Sequence, residues 1–392
     1  MKEFKKNFYR AFLLLGSGSK AVARTDLTAR ALLTLFFRTL FDRKKTGDQS
    51  EFFLQLVSQN FRLSPKLKLG RPSPSIFKKI YEDFLASKIY SQPNSVSERK
   101  SVKYLLIRDG AMGDVLMMTP VLRELHDIHS GDVSIDVATN FEFVFSNNPY
   151  VTRVFDLKTL CKGVRSYDVV VDLNGVYERA PNKHPVDAYA KCVFGGAEIN
   201  KQLEIYSSQL DEEMINKVVK DIGSPYIVVH YFSHEWPNRE VSSEIWQRLL
   251  RHVAIQSSYK IIFIGVARDQ VLITNDRCED HRGRYSIQQL KLLIDRSIGF
   301  LGGDSGPSHV AAATNAPMAV FYTCAHHEAR MPLRNGGKFM PLIPNVDCYG
   351  CLTRNPIPRP GYYCERGDNA CTSGFDVEKI KLQIINFFEI QT

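Results

Sequence analysis

Long hydrophobic runs are missing from this sequence of 392 residues. No uninterrupted apolar stretch approaches the roughly 20 residues that a membrane-spanning helix needs, so we expect no such helix. The apolar run Ala11 to Leu15 is too short for the core of a secretory signal peptide, and no clear small-residue cleavage site follows it. These absences favour a cytoplasmic protein, in which the eight cysteines are mostly thiols or metal ligands.

Two common nucleotide-binding motifs are missing as well. Gly110 and Gly113 follow an apolar run, but the full G-x-G-x-x-G spacing is absent and no Walker lysine follows. The dinucleotide and P-loop interpretations are therefore weak. No nucleic-acid recognition motif is visible, so we expect no nucleic-acid partner despite the net charge of +9.

Most of that positive charge lies at the N-terminus. Residues 1–45 contain 11 lysines and arginines against three acidic residues, and the rest of the chain is nearly neutral. Within them, Asp26 to Asp42 has the pattern of a basic amphipathic helix, which suits contact with the anionic inner-membrane surface. The same helix would also suit packing on its own protein or on a second subunit, which leaves a homo-oligomer open.

Apolar runs of strand length alternate with helical patterns from residue 102 onward. A first series begins with Tyr104 to Ile107, and a second begins with Tyr226 to His230. Strands that alternate with helices indicate parallel sheets covered on both faces. The sequence therefore predicts an α/β protein with two Rossmann-like domains that face each other across a cleft, where ligands bind beyond the carboxyl ends of the strands.

Five segments follow from these patterns. A polar linker, Gln92 to Lys100, separates a helical N-terminal region from the first sheet. The segments are a helical basic extension (1–100), a first Rossmann-like domain (101–220), a second Rossmann-like domain (221–340), a cysteine-rich loop (341–374) and a C-terminal helix (375–392).

The stretch from Phe300 to His309 predicts an anion site. It has the pattern of a strand end, a glycine turn and a helix start, with Ser305 as N-cap and Pro307 in the first turn. Glycines let a ligand approach the backbone, and the free N–H groups of the first turn favour a phosphate. Asp304 would accept hydrogen bonds from a sugar hydroxyl, and His309 would donate one to a phosphate. An ordinary strand-to-helix turn is the alternative.

An acidic residue also follows the first glycine loop. Asp114 stands in the first turn of the next predicted helix, just past a strand end. In that position it can act as a general base that takes a proton from an incoming hydroxyl. A helix cap or first-turn acid is the competing interpretation.

These two loops resemble the signatures of one enzyme family. Gly113 to Leu116, followed by Thr119 and Pro120, is similar to the N-terminal signature of glycosyltransferase family 9, the ADP-heptose lipopolysaccharide heptosyltransferases. Gly303 to Ala313 is similar to the C-terminal signature of that family. The resemblance covers about residues 102–325, and it implies the GT-B fold.

The resemblance also implies an inverting glycosyl transfer that requires no cofactor. The N-terminal domain would bind a lipopolysaccharide or lipooligosaccharide core acceptor at the loop of Met112 and Gly113, with Asp114 as the base. The C-terminal domain would bind an ADP-sugar that carries a heptose or a similar sugar. The implied donor-binding residues are Arg239, Asp304, Ser305, Gly306, Ser308 and His309. Arg239 stands where the family has a lysine, which replaces a point charge with a planar fork.

A third constellation consists of Cys348, Cys351, Cys364 and Cys371, in a segment rich in proline and glycine. Their spacing predicts a closed tetrahedral thiolate site for one structural metal, and free thiols or redox disulfides are the alternative. Some heptosyltransferase-like proteins that modify autotransporters resemble this chain in having a four-cysteine iron site, so zinc and iron both stay open.

Two rival functions remain. The acceptor can be a protein hydroxyl, which the cysteine cluster favours mildly. A rival from another class is a non-catalytic scaffold or binding protein derived from the GT-B fold. The presence of both Asp114 and the loop of Asp304 argues against that rival.

Overall fold

The structure, a computed structural model, describes residues 101–157, 167–178, 182–195, 198–232, 237–267, 271–334, 336–354, 364 and 366–390. Of the first 100 residues it describes only the backbone of two short strands, β1 (Val22–Ala23) and β2 (Phe61–Arg62), which pair antiparallel. The helices predicted in this region, including the basic amphipathic one, lie outside the described residues.

The first sheet has four parallel strands in the order β5-β4-β3-β6. They are β3 (Val102–Ile107), β4 (Val133–Ala138), β5 (Arg153–Phe155) and β6 (Val169–Asp172). The flanking helices are α1 (Met112–Leu116), α2 (Thr119–Ile128) and α3 (Pro185–Phe194), with a 3-10 turn at Glu142–Phe145. Strand β3 lies between two partners, and the apolar run that predicted it is buried on both faces.

The second sheet is also parallel and has the order β12-β11-β10-β7-β8-β9. Its strands are β7 (Tyr226–His230), β8 (Lys260–Phe263), β9 (Cys278–Asp280), β10 (Gly299–Gly303), β11 (Met318–Phe321) and β12 (Phe339–Leu342). The helices from here on are α4 (Gln209–Ile222), α5 (Ser243–Gln256), α6 (Ile287–Asp295), α7 (Gly306–Ala312), α8 (His327–Arg330), α9 (Cys351–Arg354) and α10 (Val377–Phe387).

Helix starts in both domains carry side-chain caps. The hydroxyls of Ser208 and Ser286 each accept a backbone N–H at 3.2 Å, and these contacts begin α4 and α6. His184 caps α3, because its Nδ1 accepts the Val186 N–H at 3.2 Å. Its Nε2 donates to the carbonyl oxygen of Met331 at 2.8 Å, so this cap also links the first domain to the second.

The two domains pack against each other through helices. Helix α1 of the first domain contacts α7 of the second. One hydrophobic cluster includes Val115 and Leu116 from the first domain together with Val310 and Ala311 from the second. The boundary predicted after residue 220 falls near the end of α4, which packs against α6. Within the described ranges, no helix combines the length and the apolar character needed to cross a membrane.

Candidate active site

Asp114 lies at the start of α1, directly beyond the carboxyl end of β3. Its Oδ2 accepts hydrogen bonds from Arg108 Nη2 at 2.8 Å and from the Ala111 N–H at 3.2 Å. Its Oδ1 accepts one from the hydroxyl of Tyr177 at 2.9 Å. Asp114 therefore makes the first-turn contact that the competing interpretation expected, but its side chain is also held by two residues from outside the helix.

The pKa of Asp114 is set by opposing effects. Burial works to raise it, whereas the charge of Arg108 and the hydrogen bonds from Arg108, Tyr177 and Ala111 lower it below the ordinary value. The lowering effects are larger together, so this carboxylate is ionised at neutral pH. An ionised carboxylate is the form that can accept a proton.

Arg108 is a central residue of this site that the sequence patterns did not single out. Its side chain is only 2% exposed, and it binds Asp114, Glu178 and the carbonyl oxygen of Leu173 at 2.8, 2.9 and 3.1 Å. Its guanidinium also lies 5.1 Å from the ring centre of Tyr177. The sequence did contain one indication of its role, because Arg108 directly follows a buried strand, where a charged side chain needs partners.

The second half of the site follows β10. Asp304 is almost fully buried, and Arg239 Nη2 contacts its Oδ1 at 2.8 Å and its carbonyl oxygen at 2.7 Å. The Ser308 hydroxyl donates to the Gly303 carbonyl oxygen at 2.5 Å. Thus two residues predicted separately as donor ligands, Arg239 and Asp304, are brought together as an ion pair.

Helix α7 begins at Gly306 with Ser305 as its N-cap residue and Pro307 in its first turn, as predicted, but the Ser305 side chain does not cap the helix. The Ser305 hydroxyl makes no capping hydrogen bond. It lies 3.1 Å from His230 Nδ1 and 3.2 Å from the Gly303 carbonyl oxygen instead. The side chain therefore ties the loop to the end of β7 rather than to the helix.

The two glycine loops touch each other across the domain boundary. A Cβ atom at Gly113 would lie 2.9 Å from His309 Cδ2, and one at Gly306 would lie 2.5 Å from Met112 Cε. A side chain at Gly113 would meet the His309 ring, whereas one at Gly306 would displace only the end of the Met112 side chain. Met112, Gly113, Gly306 and His309 were predicted in separate loops, and they meet at one point.

Two buried polar atoms in the second loop find no hydrogen-bond partner among the described residues. They are Asp304 Oδ2 and His309 Nδ1. Burial lowers the pKa of His309, so its ring is neutral at pH 7. Unpaired polar atoms are costly in a protein interior, and they are typical of a site that a ligand completes.

A cavity of about 250 Å³ adjoins this loop at the carboxyl ends of β7 and β8. Most of its wall is apolar or aromatic, with His230, His281 and Arg282 as polar members. Arg282 is held by two contacts with Asp280 at 2.8 and 2.9 Å and by the Tyr231 hydroxyl at 3.1 Å. Such a pocket, mainly apolar with a few fixed polar groups, suits a base and a ribose.

A larger cavity of about 410 Å³ lies elsewhere, between the segment Gln202 to Tyr206 and the ends of α6 and α7. None of the predicted site residues lines it. We therefore assign the candidate site to the smaller cavity, because it adjoins the two loops that carry Asp114 and Asp304.

The four cysteines of the C-terminal loop, which the sequence predicts as metal ligands, each have a polar neighbour in this structure. Cys348 Sγ lies 3.9 Å from Arg366 Nη1, and Cys351 Sγ lies 3.9 Å from the Cys324 carbonyl oxygen. Cys364 Sγ lies 3.8 Å from Asp368 Oδ1, and Cys371 Sγ lies 3.8 Å from the Asn238 carbonyl oxygen. No group of three or more ligating side chains in the described part of the chain is arranged to hold a metal ion.

The four thiols nevertheless influence one another. Burial first, and then the charges of Cys351, Cys348 and Cys364, raise the pKa of the Cys371 thiol to about 12. Four thiols that are close enough to repel as thiolates are the donor set that a cation would stabilise.

The family model and the solved structures that resemble this chain point to the same family. The model of glycosyltransferase family 9 (heptosyltransferase) matches residues 161–354, which include Arg239 and the loop of Asp304 but not Asp114. No curated protein matches.

Several solved structures share the fold. A family 9 glycosyl transferase from Veillonella parvula has a TM-score of 0.60 and 14% identity, over 75% of this chain and 99% of that one. ADP-heptose LPS heptosyltransferase II of E. coli has a TM-score of 0.55 and 14% identity, over 74% and 99%. The dodecameric, iron-containing glycosyltransferase TibC of enterotoxigenic E. coli has a TM-score of 0.55 and 13% identity, over 74% and 77%. A further structure of TibC is a complex with ADP-D-beta-D-heptose. The predicted GT-B architecture is thereby confirmed.

Proposed function

We propose that this chain, whose residues 161–354 match the model of glycosyltransferase family 9 (heptosyltransferase), transfers a heptose from ADP-heptose to a hydroxyl of a lipopolysaccharide or lipooligosaccharide core, with inversion at the anomeric carbon. The observation that carries this proposal is the meeting of the two loops. The ionised Asp114 of one domain directly follows Gly113, which packs against His309 of the other.

In the proposed reaction Asp114 acts as the general base. The acceptor oxygen forms a bond to the anomeric carbon while its proton passes to Asp114, and the bond between that carbon and the diphosphate oxygen breaks, so that ADP leaves with the electron pair. Attack from the side opposite ADP inverts the configuration. Tyr177 and Arg108 hold the carboxylate in a fixed orientation.

The donor would lie in the second domain. The cavity at the carboxyl ends of β7 and β8 would take the nucleoside, and the loop of Ser305, Gly306 and Ser308 would approach the diphosphate with its backbone. Arg239, held at the loop by Asp304, would stabilise the negative charge that grows on the leaving ADP. The neutral ring of His309 would donate to a phosphate oxygen, and Asp304 Oδ2 would accept from a sugar hydroxyl.

A protein hydroxyl is the second candidate acceptor. It is supported by the cysteine-rich loop together with the likeness of the fold to the iron-containing TibC. The chemistry at Asp114 would be the same in both cases, so the choice depends on the acceptor alone.

We also propose that Cys348, Cys351, Cys364 and Cys371 bind one structural zinc or iron ion. Their spacing and their mutual effect on the pKa of Cys371 support this proposal. The ion would fold the loop and would take no part in the transfer.

The proposed setting is the cytoplasmic face of the inner membrane. Residues 1–45 carry the charge that a peripheral contact with anionic lipids requires. A homo-oligomer is proposed by analogy with the dodecameric TibC.

Titration calorimetry with ADP-, UDP- and GDP-sugars tests the donor assignment. We expect ADP-heptose to bind at least about tenfold more tightly than the UDP and GDP sugars, which corresponds to about 1.4 kcal/mol. Transfer to a lipopolysaccharide core or to a protein is then read from the labelled product. Tighter binding of a UDP- or GDP-sugar would refute the proposed donor.

A further inference from the structure

Tyr177 lies between positive charges that come from different domains. It follows β6 in the first domain, and the guanidinium carbon of Arg108 from the same domain lies 5.1 Å from its ring centre. Arg330, in α8 of the second domain, lies over the same ring at 5.1 Å. Cations at this distance are attracted by the ring electrons. The ring is therefore held by both domains.

The hydroxyl of Tyr177 completes the hydrogen bonding of Asp114. Arg108 and the Ala111 N–H both bind Oδ2, whereas Tyr177 donates to Oδ1 at 2.9 Å. Donors on both oxygens fix the plane of the carboxylate. Each carboxylate oxygen can accept two hydrogen bonds, so Oδ1 can still receive a proton from an acceptor hydroxyl.

Arg330 reaches Tyr177 because α8 crosses to the first domain. The carbonyl oxygen of Met331, the next residue, accepts the hydrogen bond from His184 Nε2 at 2.8 Å. Arg330 itself forms no described contact with Asp114; its link to that carboxylate runs through the ring of Tyr177. Separation of the domains would withdraw Arg330 from the ring and leave the rest of the Asp114 contacts in place.

We infer that Tyr177 is a positioning residue for the catalytic base, and that Arg330 aligns it only when the two domains are closed. This inference rests on the proposed function, in which Asp114 is the base. If the inference holds, Asp114 is aligned only in the closed state, in which the donor and acceptor loops meet. A base that is aligned only then does not activate a hydroxyl before the donor is enclosed.

The pH profile distinguishes this role from simple packing. The charged and titratable groups around Asp114 are Arg108, Asp109, Tyr177, Glu178, Tyr189 and His309. Tyr177→Phe keeps the ring and removes one hydrogen bond that favours the ionised Asp114. The acid limb of kcat/KM should therefore move to higher pH, because Asp114 then loses its proton less readily.

The experiment compares Tyr177→Phe, Arg330→Ala and the double variant in the full-length protein. We expect each single variant to lower kcat roughly tenfold, with the KM for ADP-heptose unchanged and the acid limb shifted. The double variant should be no worse than the poorer single variant, because both changes break one chain of contacts. Arg330→Lys should recover part of the activity, since it restores a cation over the ring.

The control is Arg248→Ala, on α5, which removes an exposed arginine that pairs with Glu378. It should keep the kcat and the pH profile of the native chain. A native profile in Tyr177→Phe, or effects of the two single changes that multiply in the double variant, would overturn the inference. Undiminished turnover in Asp114→Asn would instead remove the proposed function itself, so the two failures are told apart.

Discussion

Asp114 is the residue on which the proposed chemistry depends, and its surroundings allow a clean substitution. Arg108 would keep Glu178 and the Leu173 carbonyl oxygen as partners if Asp114 lost its charge. Tyr177 could still donate to the carbonyl oxygen of an asparagine. The buried arginine would therefore not be left unpaired.

Asp114→Asn should accordingly fold normally and lose transfer by about two to four orders of magnitude, because an amide cannot take the proton. Single-turnover kinetics with ADP-heptose would measure the loss. Asp127→Asn, which neutralises an exposed carboxylate on α2, serves as the matched control and should keep full activity.

His184 makes the contact between the domains sensitive to acid. Burial lowers its pKa to about 3, and the neutral ring is required because Nδ1 accepts the Val186 N–H. Between about pH 3 and its ordinary pKa of 6.5, the unfolded chain binds a proton that the folded chain does not. The contribution of His184 to stability is therefore complete above pH 6.5 and declines as the pH falls towards 3.

Urea unfolding at pH 7.5 and pH 5 would measure this effect. The native chain should lose roughly 2 kcal/mol more on acidification than His184→Asn, in which the asparagine keeps a capping oxygen but does not titrate. Equal losses in the two proteins would contradict the assignment of a neutral His184.

Residues were predictable where a local pattern revealed them. Asp114 and Asp304 follow glycine loops, so the strand-loop-helix order pointed to both. Arg108, Tyr177 and Arg330 have no such local pattern. Their roles arise because residues far apart in the chain meet in the fold, as Arg108 and Glu178 do across 70 positions.

At the scale of elements, the central strands were predictable and the edge strands of the second sheet were not. Strands β3, β7 and β8 are continuous apolar runs because both faces of a parallel sheet are covered. Strands β9 and β12 lie at the two edges of the second sheet, and their residues are mostly half-buried. Edge strands carry charged residues or proline, which hides their pattern.

The cysteine-rich loop is an element whose fold depends on what its thiols bind. If they hold one ion, elemental analysis of the purified protein should find close to one zinc or iron per chain. Cys351→Ser should lose the metal and lower the melting temperature, whereas Cys192→Ser, on α3, should keep both at native values. A folded protein free of metal would refute the site.

At the scale of the whole molecule, the excess positive charge and the candidate active site lie in different parts of the chain. The excess of lysine and arginine lies in residues 1–45, and the candidate site lies in the two sheet domains. Membrane contact and transfer should therefore respond to different substitutions.

Lys5→Glu with Lys6→Glu should weaken binding to vesicles that contain phosphatidylglycerol, and added salt should weaken the native binding. Sedimentation of the protein with these vesicles measures the bound fraction. Lys217→Glu with Lys220→Glu makes the same charge change on the exposed side of α4 and should bind like the native chain. Equal binding of the two variants would exclude the N-terminal segment as the contact.

The close approach of Gly113 to His309 and of Gly306 to Met112 has a consequence for the timing of the reaction cycle. Substrates as large as a nucleotide sugar cannot enter or leave between loops in contact, so we expect one opening and one closing movement in every turnover. Solvent viscosity should then slow steady-state turnover, while the bond-making step within the closed protein keeps its speed. The opening of the contact that assembles the site would thus limit the rate of turnover.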